Sequence, residues 1–170
     1  MSSLSLEQLN ELSPAEASQE LLKCCGSKRW AEAMARRCPY LTAEELTQAA
    51  NEIWWSLEQS DWLEAFRSHP KIGEKKAAEA VSTQSRNWSS QEQSGVGNAD
   101  NETIDSLALL NREYEEKFGF IFIVCATGKS AGEMLAILRE RLQNDPAAEV
   151  PIAAAEQAKI TELRLKKLIN

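Results

Sequence analysis

A single histidine, His69, among 170 residues is the first scarcity that limits this chain. It excludes a multi-histidine zinc centre, and a catalytic zinc would have to recruit scattered cysteines. Cysteine is also sparse. Cys24, Cys25, Cys38 and Cys125 contain no Cys-x-x-Cys, and the vicinal pair is no disulfide framework, so reduced thiols in the cytoplasm are expected. The seven glycines form no Gly-x-Gly-x-x-Gly cradle for a nucleotide. Gly128-Lys129-Ser130 ends like a phosphate-binding loop, but Ile123 stands where the first glycine of that motif belongs. No run of about 18 apolar residues is present, so no membrane span is expected. The stretch from Met1 to Glu11 lacks the basic and apolar regions of a signal peptide. Positive charge is short as well, with 19 basic against 26 acidic residues and a formal net charge of −7. The basic clusters, Lys75-Lys76 and Lys166-Lys167, are brief and lack interleaved aromatics, so no nucleic-acid partner is expected.

The abundant residues favour helix. Ala, Leu, Glu, Gln, Lys and Arg lose little rotamer freedom in a helix, and they dominate here while β-branched residues are few. Start signals recur. Ser13-Pro14-Ala15-Glu16 predicts a capped helix ending at Gly26, and Ser27 caps one to about Arg37, before Pro39. Thr42-Ala43-Glu44-Glu45 predicts a capping box and a helix to about Glu58, followed by a short helix from Asp61 to Arg67. Residues 75–81 suggest a further turn or two, and residues 82–100 read mostly as loop around a short helix begun by Ser89-Ser90-Gln91-Glu92. Asp100 or Asn101 opens a helix to Lys117 that Gly119 closes. Ser130-Ala131-Gly132-Glu133 opens one to about Asn144, and a last helix starts between Pro146 and Pro151 and runs to about Ile169.

Residues 120–126 are the exception, a continuous apolar run with no visible partner strand. The expectation is a short, buried, extended segment whose backbone groups need partners, some of which a ligand can supply. The fold class implied is all-α, a compact multi-helix single domain over residues 1–170.

Three residues stand out chemically, each with a plain structural alternative. His69 precedes Pro70 and lies near Gly73, which suits an imidazole on a rigid loop at a helix exit. Its unperturbed pKa near 6.5 fits proton transfer, yet a lone histidine is also an ordinary structural residue. Glu92 closes a capping box with Ser89, or offers a carboxylate beside free helix N–H groups. Together with Ser89 and Gln93 it supplies the groups to read a urea-like ligand. Arg164 shares an apolar helix face with Ile160 and Leu168, so it either snorkels, pairs internally or grips a substrate carboxylate. A Cys125–His69 nucleophilic pair has no local signature. The five tryptophans, Trp30, Trp54, Trp55, Trp62 and Trp88, read as core or interface anchors.

Taken in order, His69-Pro70-Lys71-Ile72-Gly73, Trp88-Ser89-Ser90-Gln91-Glu92-Gln93-Ser94-Gly95, Asn111-Arg112-Glu113-Tyr114, the run from Lys117 to Ala126, and Ile160-Thr161-Glu162-Leu163-Arg164-Leu165 resemble the OHCU decarboxylase family over nearly the whole chain. The resemblance implies an all-helical homodimer without metal or organic cofactor. It implies decarboxylation of 2-oxo-4-hydroxy-4-carboxy-5-ureidoimidazoline (OHCU) to (S)-allantoin and carbon dioxide in urate breakdown. It also implies His69 as proton donor, Glu92 as its partner carboxylate and Arg164 as the C-terminal catalytic arginine. Pro70, Ser89, Ser90, Gln91, Glu92 and Gln93 fall on substrate-binding positions, and Phe122, Ile123, Val124, Cys125 and Ala126 on a backbone wall for the ureide. A non-catalytic helical interaction module and a ureide hydrolase are the rival classes.

Overall fold

The computed structural model describes residues 3–69, 88, 91, 92 and 100–169. Eight helices have described bounds: α1 (Leu6–Glu11), α2 (Pro14–Leu22), α3 (Lys28–Arg36), α4 (Ala43–Ser56), α5 (Gln59–Arg67), α6 (Asn101–Phe118), α7 (Ala131–Arg141) and α8 (Pro146–Leu168). No named strand joins them; the one bridge, Leu4 with Ile169, is isolated. The all-α expectation is met, and none of these helices is long and apolar enough to cross a membrane. The chain divides into two compact units, Met1–Ala65 with Ala158–Asn170, and Phe66–Gln157.

In the first unit the caps act as their chemistry requires. Ser13 accepts from the Glu16 N–H while Glu16 closes back on the Ser13 N–H, with Pro14 at the first helical position, where its missing N–H costs nothing. Ser5 and Gln8 form the same reciprocal box on α1, a start signal that the sequence reading passed over. Thr42 accepts from the Glu45 N–H, but Glu45 reaches past it to the Leu41 N–H at 2.8 Å, so this box closes one residue early. Helix α2 stops at Leu22, short of Gly26. Ser27 must be extended (φ −91°, ψ 120°) to cap α3, and the chain leaves α2 early enough to reach it. Helix α2 packs on α3 and α3 on α4. Their core includes Leu21, Trp30, Met34 and Leu46, fully buried or nearly so. Three indole N–H groups find acceptors: Trp30 on the Ala50 carbonyl, Trp62 on the Trp54 carbonyl and Trp55 on Asn51. Trp30 and Trp54 are core anchors as expected, whereas Trp55 is 43% exposed.

In the second unit Asp100 caps α6 by accepting from the Thr103 N–H at 2.8 Å. Gly119 ends it at φ 83°, a left-handed position that a side chain would strain. The reciprocal box of Ser130 and Glu133 opens α7, which ends at Arg141, a turn earlier than expected. Helix α7 packs on α6. Helix α8 begins at Pro146 and contains Pro151, which gives up one hydrogen bond of the helical ladder. Between α6 and α7 lie residues 120–126, without helix or strand pairing, and from Phe122 to Ala126 they are buried.

Candidate active site

The extended segment finds backbone partners at alternate residues. The Ile123 carbonyl accepts from Arg141 Nη1 at 2.5 Å, the Cys125 N–H donates to Glu156 Oε1 at 3.1 Å, and the Cys125 carbonyl accepts from Lys129 Nζ at 2.7 Å. In an extended chain the N–H and C=O of one residue point to the same side and those of the next residue to the other. Side chains from α7 (Arg141), α8 (Glu156) and the turn before α7 (Lys129) therefore hold the side presented by Ile123 and Cys125. Phe122 and Val124 present the other side, and among the described residues nothing bonds to their N–H and C=O groups.

Arg141 is itself held in a buried network. Its Nε and Nη2 both lie 2.5 Å from Glu149 Oε1, and its Nη2 also reaches the Tyr114 hydroxyl at 3.3 Å. The Tyr114 hydroxyl donates to Glu149 Oε1, and Asn144 Nδ2 donates to Glu149 Oε2 at 2.9 Å. The Arg141 guanidinium stacks over the Phe122 ring at 4.7 Å. Burial pushes the Tyr114 hydroxyl far above the ordinary tyrosine range, and the Glu149 carboxylate beside it adds to that shift. The phenol therefore serves as a neutral donor.

His69 lies two residues beyond α5, its N–H bonded to the Phe66 carbonyl at 3.2 Å. Its Nε2 lies 2.5 Å from Oε1 of Gln157, which is wholly buried on α8. Glu92 is buried and helical, as is Trp88 one turn before it, whereas Gln91 is exposed. The Glu92 charge is felt at Cys125, where it adds to the upward shift that burial imposes on the thiol. A thiol raised in this way is the opposite of an activated nucleophile, so the Cys125–His69 pairing loses its chemical basis. His69, Glu92 and residues 122–126 thus share one compact unit. Pro70, Ser89, Ser90 and Gln93 lie outside the described residues, as does the cap expected of Ser89.

Arg164 belongs to the other unit, where it is buried at 3% exposure. Its charge acts on Cys24 and Cys25, but burial dominates both: it pushes Cys24 far up and Cys25 to about 12. The vicinal thiols are thereby kept protonated. Sequence reasoning missed Gln157, Glu156 and Arg141, the residues that hold the imidazole and the extended segment. Among the described residues no group of three or more His, Cys, Asp or Glu side chains is arranged to hold a metal ion.

Comparison with known proteins gives a consistent result. Residues 10–166 match the family model described as OHCU decarboxylase. The chain is 42% identical over 148 residues to the uric acid degradation bifunctional protein TTL of Arabidopsis thaliana, a match covering 86% of this chain and 45% of that one. It therefore spans less than half the length of that relative. It is 33% identical over 133 residues to the 2-oxo-4-hydroxy-4-carboxy-5-ureidoimidazoline decarboxylase of Amia calva, covering 78% of this chain and 75% of that one. Its fold is similar to a crystal structure of OHCU decarboxylase in the presence of (S)-allantoin, with a TM-score of 0.76 and 41% identity, covering 88% of this chain and 96% of that one.

Proposed function

The chain belongs to the OHCU decarboxylase family, and on that premise we propose that it decarboxylates OHCU to (S)-allantoin, with His69 handling the proton. The observation that carries this reading is the buried backbone of Phe122 and Val124, whose N–H and C=O groups no described residue meets. Buried backbone groups are almost always paired, and leaving one bare costs about 1–3 kcal/mol. A ureido group offers the matching alternation of N–H and C=O, so it can bind these groups as a neighbouring strand would. Phe122, Ile123, Val124, Cys125 and Ala126 form that wall in our reading, with Pro70, Ser89, Ser90, Gln91 and Gln93 as further contacts.

The reaction breaks the bond between the ring carbon and its carboxylate. Carbon dioxide leaves, and the bonding electron pair passes into the adjacent ring C=N. The resulting carbanion equivalent takes a proton on one ring face, which fixes the stereochemistry of allantoin. Orientation, charge stabilisation and a positioned acid therefore suffice. His69 supplies the proton, Glu92 steadies the imidazole or the ureido nitrogens, and Arg164 holds an anionic oxygen through its two-pronged fork. The protein is a homodimer in the cytoplasm on this reading, supported by the family resemblance and by four free cysteines.

The test is His69→Asn in an assay on freshly generated OHCU that follows both its absorbance and the chirality of the allantoin formed. A large fall in rate with racemic product is expected. Wild-type rate and full stereoselectivity would remove His69 from the mechanism.

A further inference from the structure

Gln157 has no part in the bond-breaking or proton-transfer steps, yet it is wholly buried on α8 with its amide against the imidazole. A buried amide is retained at a cost unless its polar atoms are bonded. The atom facing His69 Nε2 is Oε1, and an amide oxygen can only accept. With Oε1 as the acceptor, the proton between them sits on Nε2. The next residue back, Glu156, accepts the Cys125 N–H. Two consecutive side chains of one helix thus hold the imidazole and the extended segment, and a rigid element sets the spacing between them.

The acceptor's chemistry matters as much as its place. A carboxylate here would favour the imidazolium and make it a weaker acid. A neutral amide fixes the ring's orientation and tautomer without that effect. We propose that Gln157 is a positioning residue that holds His69 in its Nε2–H tautomer and fixes the orientation of the imidazole. This rests on the reading of His69 as the proton donor.

With one histidine in the chain, the imidazole of uniformly 15N-labelled protein gives a single, unambiguous set of ring signals. Above the titration of the ring, the wild type is expected to show a protonated Nε2, an unprotonated Nδ1 and a slowly exchanging Nε2–H proton. Gln157→Met keeps the side chain's length but removes the acceptor. It should lose the Nε2–H proton signal and lower kcat about tenfold, the scale of one hydrogen bond, with KM within about twofold. Gln157→Glu retains an acceptor oxygen and should keep the Nε2–H signal. A wild-type ring protonated on Nδ1 would overturn the proposal, as would a Gln157→Met protein with unchanged Nε2–H signal and kcat. A purely structural role predicts a lower Tm with the Nε2–H signal intact. Should His69→Asn prove fully active, the underlying reading fails, while the ring signals still report independently on the Gln157 hydrogen bond.

Discussion

Replacing Arg141 with methionine tests most directly what holds the extended segment in place. Arg141 is 6% exposed and its partner Glu149 wholly buried. The substitution takes the Arg141 charge from that carboxylate, leaving it the hydrogen bonds of Tyr114 and Asn144, and strips the Ile123 carbonyl of its donor. Breaking one side of a buried pair costs about 3–5 kcal/mol, because an uncompensated charge stays behind. For a chain of this size each kcal/mol is worth about 2–4 °C, so Tm should fall by roughly 6–20 °C. Thermal melts followed by circular dichroism measure this directly. The double variant Arg141→Met/Glu149→Leu removes both charges and should be more stable than Arg141→Met alone, since apolar groups of similar volume replace a buried pair at little cost. Where Arg141→Met still folds, KM should rise more than kcat falls, because the freed Ile123 carbonyl lets the binding wall shift. A Tm within about 2 °C of wild type would be incompatible with a buried carboxylate left without its counter-charge. So would a double variant that simply adds the two single losses.

Arg164→Lys keeps the charge but not the fork, and should lower kcat/KM by about 10- to 100-fold; an unchanged value would assign Arg164 to the interior of its own unit, beside Cys24 and Cys25. Asp100 is held below the ordinary aspartate range by the Thr103 N–H, so its stabilising effect is present above about pH 4 and fades as pH falls through the lowered folded value. Asp100→Asn removes that titration, and the Tm difference between it and wild type should shrink on acidification; a difference independent of pH would contradict the charge-assisted cap.

Much of the helical framework is legible because its start signals are local. Ser13-x-x-Glu16 and Ser130-x-x-Glu133 each name the donor they satisfy, and both close as written. Gly119 is readable for the same reason, since a left-handed residue ends α6 and glycine adopts it without strain. Helix ends governed by residues further along the chain are harder. Gly26 is available to close α2, but the extended geometry of Ser27 decides where that helix stops. The long-range partners of residues 120–126 are harder still. The sequence shows that Ile123 and Cys125 need partners, but Arg141, Glu156 and Lys129 are surface-like residue types, and only the packing aims them inward.

Helix α8 shows how far a local rule could have gone. Arg164 stands out because it interrupts an apolar stripe between Ile160 and Leu168. The same stripe, traced back towards the N-terminus, reaches Gln157 after seven residues and Glu149 after eight more, each close to two full turns. Both are wholly buried. A helix keeps a polar group on its buried face only if something there bonds to it. For Glu149 that something includes Arg141, Tyr114 and Asn144, and for Gln157 it includes the one histidine of the chain. Interruptions of an apolar stripe therefore carry information that a search for catalytic residue types passes over, because neither glutamine nor a paired glutamate advertises chemistry. What sets Gln157 apart from Glu149 is its partner: Glu149 closes a network that ends on backbone, whereas Gln157 ends on a group that can move a proton.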